Sequence, residues 1–339
     1  MEVTPPGAGN ALHATLLVAN SAFWSALMIV AVRAPHTGLI WLMGPILCTI
    51  ASFGETTCGK RALAAAADFI TFGMLQFLFT ALSPMVLPAV LFCPAAIRIA
   101  AFRRSGNRAG AVFCASMMNI TENDLAEAGE LLVTVAVLAA IVPLTSLMLE
   151  KFLLRRTTGS RLVPAAPPLD GTAILRRSAA GTAALALMYA LNWHFGHWIP
   201  LTVALLYLKS GDETTMLRFA ELRSLAATPG FALGLLSLAT AAYIDYRLDY
   251  FAALWLVLAF HYSFRRREYF GFSIMYMVVC CMLNDLLLER SPLFANGWEL
   301  FFQSVLGTLI GCAIVAAAEA ALPAGKTQRP AQMPPIPRP

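Results

Sequence analysis

The chain has 339 residues, of which 59% are hydrophobic and only 13% are charged. A soluble domain averages about 25% charged residues, so this composition excludes a soluble protein and indicates a polytopic membrane protein in a lipid bilayer. The net charge of +5 does not indicate a nucleic-acid partner, because the placement of basic residues decides what they mean in such a protein. We expect no nucleic-acid ligand.

Twelve apolar segments, bounded by charged residues, Pro and Gly, predict an all-α fold of about twelve transmembrane helices. In chain order, segments 1 to 12 cover approximately residues 12–32, 38–53, 62–82, 85–102, 109–121, 131–149, 178–193, 197–209, 224–243, 250–264, 269–287 and 298–322. A full span needs about 20 residues, and segments 2, 5 and 8 are shorter than that.

The basic residues fall mainly on one side of these segments. If the N-terminus faces the cytoplasm and every segment crosses, 20 of the 24 Lys and Arg residues collect on the inner side. This bias is the positive-inside rule, and it explains basic runs such as 103–104 and 265–267 by topology. It predicts a multi-pass membrane protein with both termini in the cytoplasm.

The two halves of the chain are similar to each other. The Glu-Thr-Thr at 55–57 recurs at 213–215, and the Asn-Asp-Leu at 123–125 recurs at 284–286. Each half has six segments, an even number, so both copies insert in the same orientation and form two parallel six-helix repeats. The predicted organisation is a first membrane repeat at 1–150, a cytoplasmic linker at 151–177, a second membrane repeat at 178–322 and a disordered Pro-rich tail at 323–339.

Residues 170–322 carry a characteristic order of features. Arg176-Arg177 open a helix, an aromatic-rich stretch at 196–202 leads into the next helix, and a polar turn at 210–215 precedes an Arg-bearing stretch. The last helix carries Gly-Thr-Leu-Ile-Gly at 307–311. This order resembles the fusaric-acid-resistance and aromatic-acid-exporter superfamily, to which plant aluminium-activated malate transporters look distantly similar. Residues 12–150 follow the same order more faintly, so that the resemblance covers about 85% of the chain.

The resemblance implies an inner-membrane efflux protein for aromatic or other organic acids, with a periplasmic adaptor of the membrane-fusion type as partner. Two features depart from the family. The longer exporters carry a large cytoplasmic domain where this chain has only the linker, and Asp68 stands where the second half has Ala226.

Segments 2 and 8 are the first candidates for a transport site. They are short, they contain Pro45 and Pro200, and they hold matched positions in the two halves. Short or broken helices at matched positions of two repeats indicate a transport site. Glu55 and Glu213, which follow them, would be proton-binding carboxylates of a cytoplasmic gate; in the alternative interpretation, the Glu-Thr-Thr motifs cap the helices that come next.

Two further sets of ionisable residues are candidates for the substrate or proton pathway. Asn123-Asp124 and Asn284-Asp285 lie at the outer ends of segments 5 and 11, where they would take up periplasmic protons or simply form helix ends in an acidic outer loop. Asp68 and Arg98 lie inside segments and would form an intramembrane pair, or each would extend to the nearer membrane surface.

His194 and Arg218 complete the candidates. His194 lies near the outer surface beside Trp193 and Trp198, where it would sense protons, although an interfacial aromatic belt explains the tryptophans. An anionic substrate needs positive charge along its path, which Arg98, Arg218 and Arg223 would supply.

Enzyme and cofactor signatures are not found in the sequence. Nucleotide-binding and hydrolase motifs of the forms G-x-x-x-x-G-K-[ST], G-x-S-x-G and H-E-x-x-H do not occur, and the seven cysteines show no metal-ligand spacing. The predicted function is export of organic acids, aromatic carboxylic acids in particular, coupled to the proton gradient and without cofactor or metal. Alternatives are an anion channel on the same scaffold, a non-transporting scaffold subunit of an envelope or pigment pathway, and an integral-membrane enzyme. A homo-oligomer is compatible with each.

Overall fold

The computed structural model of the protein describes residues 8–32, 38–82, 125–153, 162, 171–193, 196, 198–208, 213–244, 255, 257–262, 269–287 and 293–321. Every regular element in these residues is a helix, which confirms the predicted all-α fold. Segments 4 and 5 lie outside the described residues, so the number of twelve helices stays a prediction.

The described residues form four helices in the first half and five in the second. The first-half helices are α1 (Ala8–Val32), α2 (Gly38–Ala51), α3 (Cys58–Leu82) and α4 (Leu125–Met148). A 3₁₀ turn, Ser52–Gly54, extends α2, and a π turn, Leu149–Leu153, extends α4. The second-half helices are α5 (Gly171–Leu191), α6 (Trp198–Leu208), α7 (Glu213–Ile244), α8 (Tyr269–Leu287) and α9 (Leu293–Ala321). A short helical stretch at 257–262 precedes α8.

Three helices of the second half begin earlier than the apolar pattern predicted: α9 by five residues, and α5 and α7 by more. Helix α5 starts at Gly171, inside the predicted linker, and α7 starts at Glu213 instead of residue 224. Both added stretches carry arginines, which had been taken as segment boundaries. The linker is also attached to the helices: Leu162 is buried, and its N–H donates to the Phe53 carbonyl at 3.1 Å. The division of the chain into two repeats and a linker stays a prediction.

Within the part of the chain that the structure describes, three helical stretches are long and apolar enough to cross a bilayer: Asn10–Met28, Leu132–Phe152 and Phe301–Ala321. Large apolar side chains lie exposed at helical spacing along two of them, namely Val133, Val137, Leu144 and Met148 on α4 and Phe302, Leu306 and Leu309 on α9. A lipid-facing surface has this composition, because acyl chains carry no polar groups.

The helices of the two halves pack in the same pattern. In the first half α1 packs on α2 and α4, α2 packs on α3 and α4, and α3 packs on α4. In the second half α5 packs on α6 and α9, α6 packs on α7 and α9, and α7 packs on α9. Helix α8 runs along α7 and also contacts α2, which joins the halves. A duplicated unit would give this pattern, and the repeat itself remains a prediction.

The Gly-Thr-Leu-Ile-Gly motif of α9 allows a close helix crossing. A Cβ atom on Gly311 would come within 2.8 Å of the Ile199 carbonyl oxygen, and one on Gly307 within 2.9 Å of Trp198 Cβ. Only glycine lets the backbones of α6 and α9 approach so closely. Trp198 is therefore fully buried between these helices, and its ring meets the Phe231 ring edge-on at 4.6 Å. The interfacial position predicted for this tryptophan is wrong.

Candidate functional site

A buried charged cluster joins three helices of the first half. The Nε2 atom of His13 on α1 lies 2.8 Å from Oε1 of Glu150, which follows α4. Arg61 on α3 donates from Nε to the same oxygen at 2.9 Å, and its Nη2 lies 2.8 Å away. All three side chains are at most 6% exposed. We call His13, Arg61 and Glu150 the first-half cluster.

The Glu-Thr-Thr motif at 55–57 positions Arg61. The Lys60 N–H donates to Thr57 Oγ1 at 3.2 Å, so Thr57 caps the start of α3. Arg61 then lies in the first turn, and its Nη1 donates to the Glu55 carbonyl at 2.9 Å. The capping interpretation is confirmed for Thr57 in this first copy. The second copy differs, because α7 already begins at Glu213.

A small cavity adjoins the first-half cluster. Its walls include Arg61 and Glu150 together with Leu17, Thr49, Ser52, Cys58, Ala62, Ala65, Pro143, Ser146 and Leu147. The cavity has room for about one water molecule. Within the described residues, the Thr49 hydroxyl and His13 Nδ1 are buried without a hydrogen-bond partner. The surroundings are therefore suited to hold water beside the cluster.

A second buried cluster joins α5, α6 and α9. Arg176 forms an ion pair with Glu319 near the end of α9, and the Arg177 guanidinium carbon lies 5.3 Å from the centre of the Tyr207 ring. All four side chains are buried. Glu319 also acts electrostatically on Arg177, so among the described residues two arginines face one carboxylate and this second-half cluster carries excess positive charge.

Arg223 on α7 is the most enclosed charged residue among those described. Its relative exposure is 0%, and in the described part of the chain its guanidinium interacts with the Tyr269 hydroxyl rather than with a carboxylate. Its electrostatic neighbours are Tyr269, Tyr276 and Cys312, and the Tyr276 ring centre lies 5.7 Å from the guanidinium carbon. No carboxylate is among these neighbours. A buried cation in such surroundings is costly unless an anion joins it, since the desolvation penalty is several kcal/mol per ion.

The predicted site residues occupy varied positions. Asp68 is 1% exposed on α3, two turns beyond Arg61, whereas Arg218 lies exposed on α7. Glu55 is half-buried between α2 and α3. Helices include Glu213, Asn284 and Asp285, whose side chains are not among the described ones; Asn123, Asp124, Arg98 and His194 lie outside the described residues. Of the predicted pathway residues, only Glu55, Asp68 and Arg218 have described side chains, so the pathway as a whole stays a prediction.

The buried clusters were missed from the sequence. The topology count placed four arginines on the cytoplasmic side of the membrane, and the structure buries their side chains between the helices: Arg61, Arg176, Arg177 and Arg223. A local signal did exist for Glu319 and His13, since each stands inside a long apolar segment where a charged group needs a partner. Nothing local pairs His13 with Glu150, which is 137 residues away.

Comparison with known proteins identifies the second half. Residues 183–323, less than half of the chain, match the family model described as fusaric acid resistance protein-like. This match confirms the predicted resemblance for α5 to α9. The resemblance of the first half and that to plant malate transporters stay predictions. No curated protein and no solved structure matches the chain. Together with the apolar helices, the match supports a multi-pass membrane protein of the resistance and efflux type.

Proposed function

We propose that this chain, whose residues 183–323 belong to the fusaric-acid-resistance family, exports organic anions, aromatic carboxylates in particular, across a bacterial inner membrane at the expense of the proton gradient. Both termini would then lie in the cytoplasm, and a periplasmic membrane-fusion adaptor would receive the substrate. Because the described core is a helical membrane bundle without soluble-enzyme motifs, transport explains it better than catalysis does.

The burial of the Arg223 guanidinium is the observation that supports an anionic substrate. Its planar guanidinium can bind a carboxylate through two parallel hydrogen bonds, which gives both affinity and orientation. In the described residues its neighbours offer phenol and thiol groups but no carboxylate. A bound carboxylate would supply a negatively charged acceptor, which these neighbours lack, and offset the cost of burying the charge.

The surroundings of Arg223 suit an aromatic ring on that anion. The Tyr276 ring lies 5.7 Å from the guanidinium carbon, and the Phe219 and Tyr269 rings are 4.7 Å apart between α7 and α8. Aromatic pairs at such distances contribute about 0.5–1.5 kcal/mol beyond simple burial. Since Arg223 is fully enclosed, α7 and α8 would have to separate for a substrate to enter.

Transport in everted membrane vesicles tests this proposal. We expect [¹⁴C]benzoate, but not the permanently charged cation benzyltrimethylammonium, to accumulate when the vesicle interior is acidic. Arg223→Met should reduce the rate by about a hundredfold, because hydrogen bonds to charged groups contribute about 1.5–3 kcal/mol each. Arg223→Lys should keep the charge and lose much of the affinity, since lysine cannot form the bidentate contact.

Arg218→Met is the matched control. Arg218 lies five positions earlier on α7 and is exposed, so its loss should change the rate by less than about twofold. Equal loss in both variants would show that Arg223 has no special role. Flux only down the benzoate gradient would indicate an anion channel, and no flux of either compound in any variant would favour a scaffold subunit.

A further inference from the structure

The first-half cluster differs from its counterpart in one chemical respect. In each half, a buried glutamate at the end of the last helix bonds to a basic residue on the first helix: Glu150 to His13, and Glu319 to Arg176. An arginine remains charged at every physiological pH, whereas a histidine changes its charge between about pH 5 and 8. Only the first-half cluster can therefore respond to protons through its basic member.

We propose that His13, held by Glu150, is the residue that binds and releases the proton coupled to export. The inference rests on the proposed function and assigns its proton site to residues that the sequence did not indicate. The second half, with its excess of buried arginines, would bind the anion, and the first half would bind the proton.

The geometry fixes which nitrogen of His13 takes the proton. Two nitrogens of Arg61 approach the same Glu150 oxygen that His13 Nε2 contacts, so this oxygen acts as the acceptor of an ionised carboxylate. Such a carboxylate only accepts, and Nε2 therefore carries the ring hydrogen. The neutral ring then has its lone pair on Nδ1, which is buried and has no partner among the described residues. A proton would bind Nδ1 and later leave from the same atom.

Few other charged or titratable groups stand around His13. The elements that pack around α1 and the cluster contribute the following groups in the described residues: Cys48 from α2; Glu55 from the turn after it; Cys58, Lys60, Arg61 and Asp68 from α3; Glu150 and Lys151 from the π turn; and His261 and Tyr262 from the stretch 257–262. Lys60 and Lys151 are exposed, and Asp68 lies two turns further along α3. His261 contacts Thr15 Oγ1 at 2.9 Å. Glu150 is the ionic partner that contacts His13, and Arg61 bonds to the same Glu150 oxygen.

Protonation changes the charge of a closed site. With His13 neutral, Glu150 and Arg61 balance each other, and a proton on Nδ1 leaves one uncompensated positive charge in a buried place. Such a charge costs several kcal/mol unless water reaches it, which favours opening between α1 and the end of α4. The cavity beside Glu150, with its room for about one water, is the nearest path for that water and for the proton.

The test separates coupling from substrate movement. His13→Gln keeps a donor for Glu150 but cannot take up a proton, and His13→Arg copies the fixed charge of the second half. In reconstituted vesicles we expect both variants to lose accumulation of benzoate against its gradient, with the accumulation ratio falling to about one. Exchange of labelled for unlabelled benzoate without a pH gradient should stay within about twofold of the wild type.

His261→Gln is the matched control, because it removes a histidine that bonds to the same helix two positions from His13. It should keep accumulation intact. Loss of accumulation in this variant as well, or retained accumulation in His13→Gln, would overturn the assignment to His13. Loss of exchange in His13→Gln would point to a structural role and would also overturn it.

A second measurement needs no transport. In ¹⁵N-histidine spectra of the purified protein, we expect the signal that is missing from His13→Gln to change from the neutral to the protonated form when acid is added. If His13 does not titrate, the proton site is wrong whatever the substrate is. If His13 titrates and benzoate does not move, the proposed function fails while the proton site stands.

Discussion

Glu150 and Glu319 hold corresponding places in the two halves of the molecule. Each is buried at the end of the last helix of its half, and each bonds to the first helix of the same half. Their separation in the chain equals that between Glu130 and Glu299, which lie near the starts of α4 and α9. Two copies of one duplicated unit would keep equal spacing between matching residues. We therefore expect residues 12–150 to superpose on 178–322 by a rotation near twofold about the membrane normal.

The pair of Arg176 and Glu319 should be important for stability. We expect Glu319→Ala to lower the free energy of unfolding by about 3–5 kcal/mol, because it leaves two buried arginines without their shared carboxylate. The measurement is unfolding by SDS titration of the purified protein. Glu299→Ala is the control on the same helix: Glu299 is exposed and accepts from Gln303 at 2.7 Å, so its removal should cost less than about 0.5 kcal/mol. Similar losses would contradict the buried pair.

The crossing of α6 and α9 should tolerate no side chain at Gly311. A Cβ atom there would lie 2.8 Å from a backbone oxygen and from Thr202 Cβ, so Gly311→Ala should destabilise by about 1–3 kcal/mol and Gly311→Val by more. Gly59→Ala provides the comparison. No atom lies within 4 Å of a Cβ at that position near the start of α3, and alanine favours the helix there. The same SDS titration would contradict the crossing if Gly311→Ala unfolded like the wild type.

The sequence predicted the helical fold and several helix ends well. The apolar pattern placed segment 11 at 269–287, the bounds that α8 has, and it ended segments 1 and 3 at the last residues of α1 and α3. The apolar run that spans a membrane can be read from consecutive residues of the sequence, which explains why these helix ends were predicted correctly. The start of α7 was missed by eleven residues because arginines were read as loop residues, although a buried partner or an exposed face lets a helix carry them.

The site was far less predictable. Arg223 was among the arginines considered for an anion, and only the packing of α7, α8 and α9 shows that it is enclosed and Arg218 is not. The contact of His13 with Glu150 depends on how α1 meets the end of α4. No periodicity or motif in the sequence predicts a contact between two helices so far apart in the chain, so only the structure shows these contacts.

The membrane topology can be tested with single cysteines. We expect Ser160→Cys and Gly325→Cys, in a background without native cysteines, to react with an impermeant maleimide only in everted vesicles. The reason is the positive-inside bias, which persists among the remaining basic residues after the four buried arginines are set aside. Labelling of either position in intact spheroplasts would contradict the cytoplasmic linker and tail, and with them the even number of crossings.

Asp68 and Arg98 form the last pair that can be tested. Asp68 is buried on α3, and the sequence suggests Arg98 on the following segment as its ionic partner. If they pair, Asp68→Asn and Arg98→Gln should each destabilise, because each leaves the opposite charge uncompensated. The double variant should then be more stable than the sum of the single effects allows, by a coupling energy of about 1–3 kcal/mol in SDS titration.

Asp68→Asn combined with Arg218→Gln is the control, since Arg218 is exposed on α7 and should show additive effects. Additive effects for both combinations would mean that Asp68 has a partner other than Arg98.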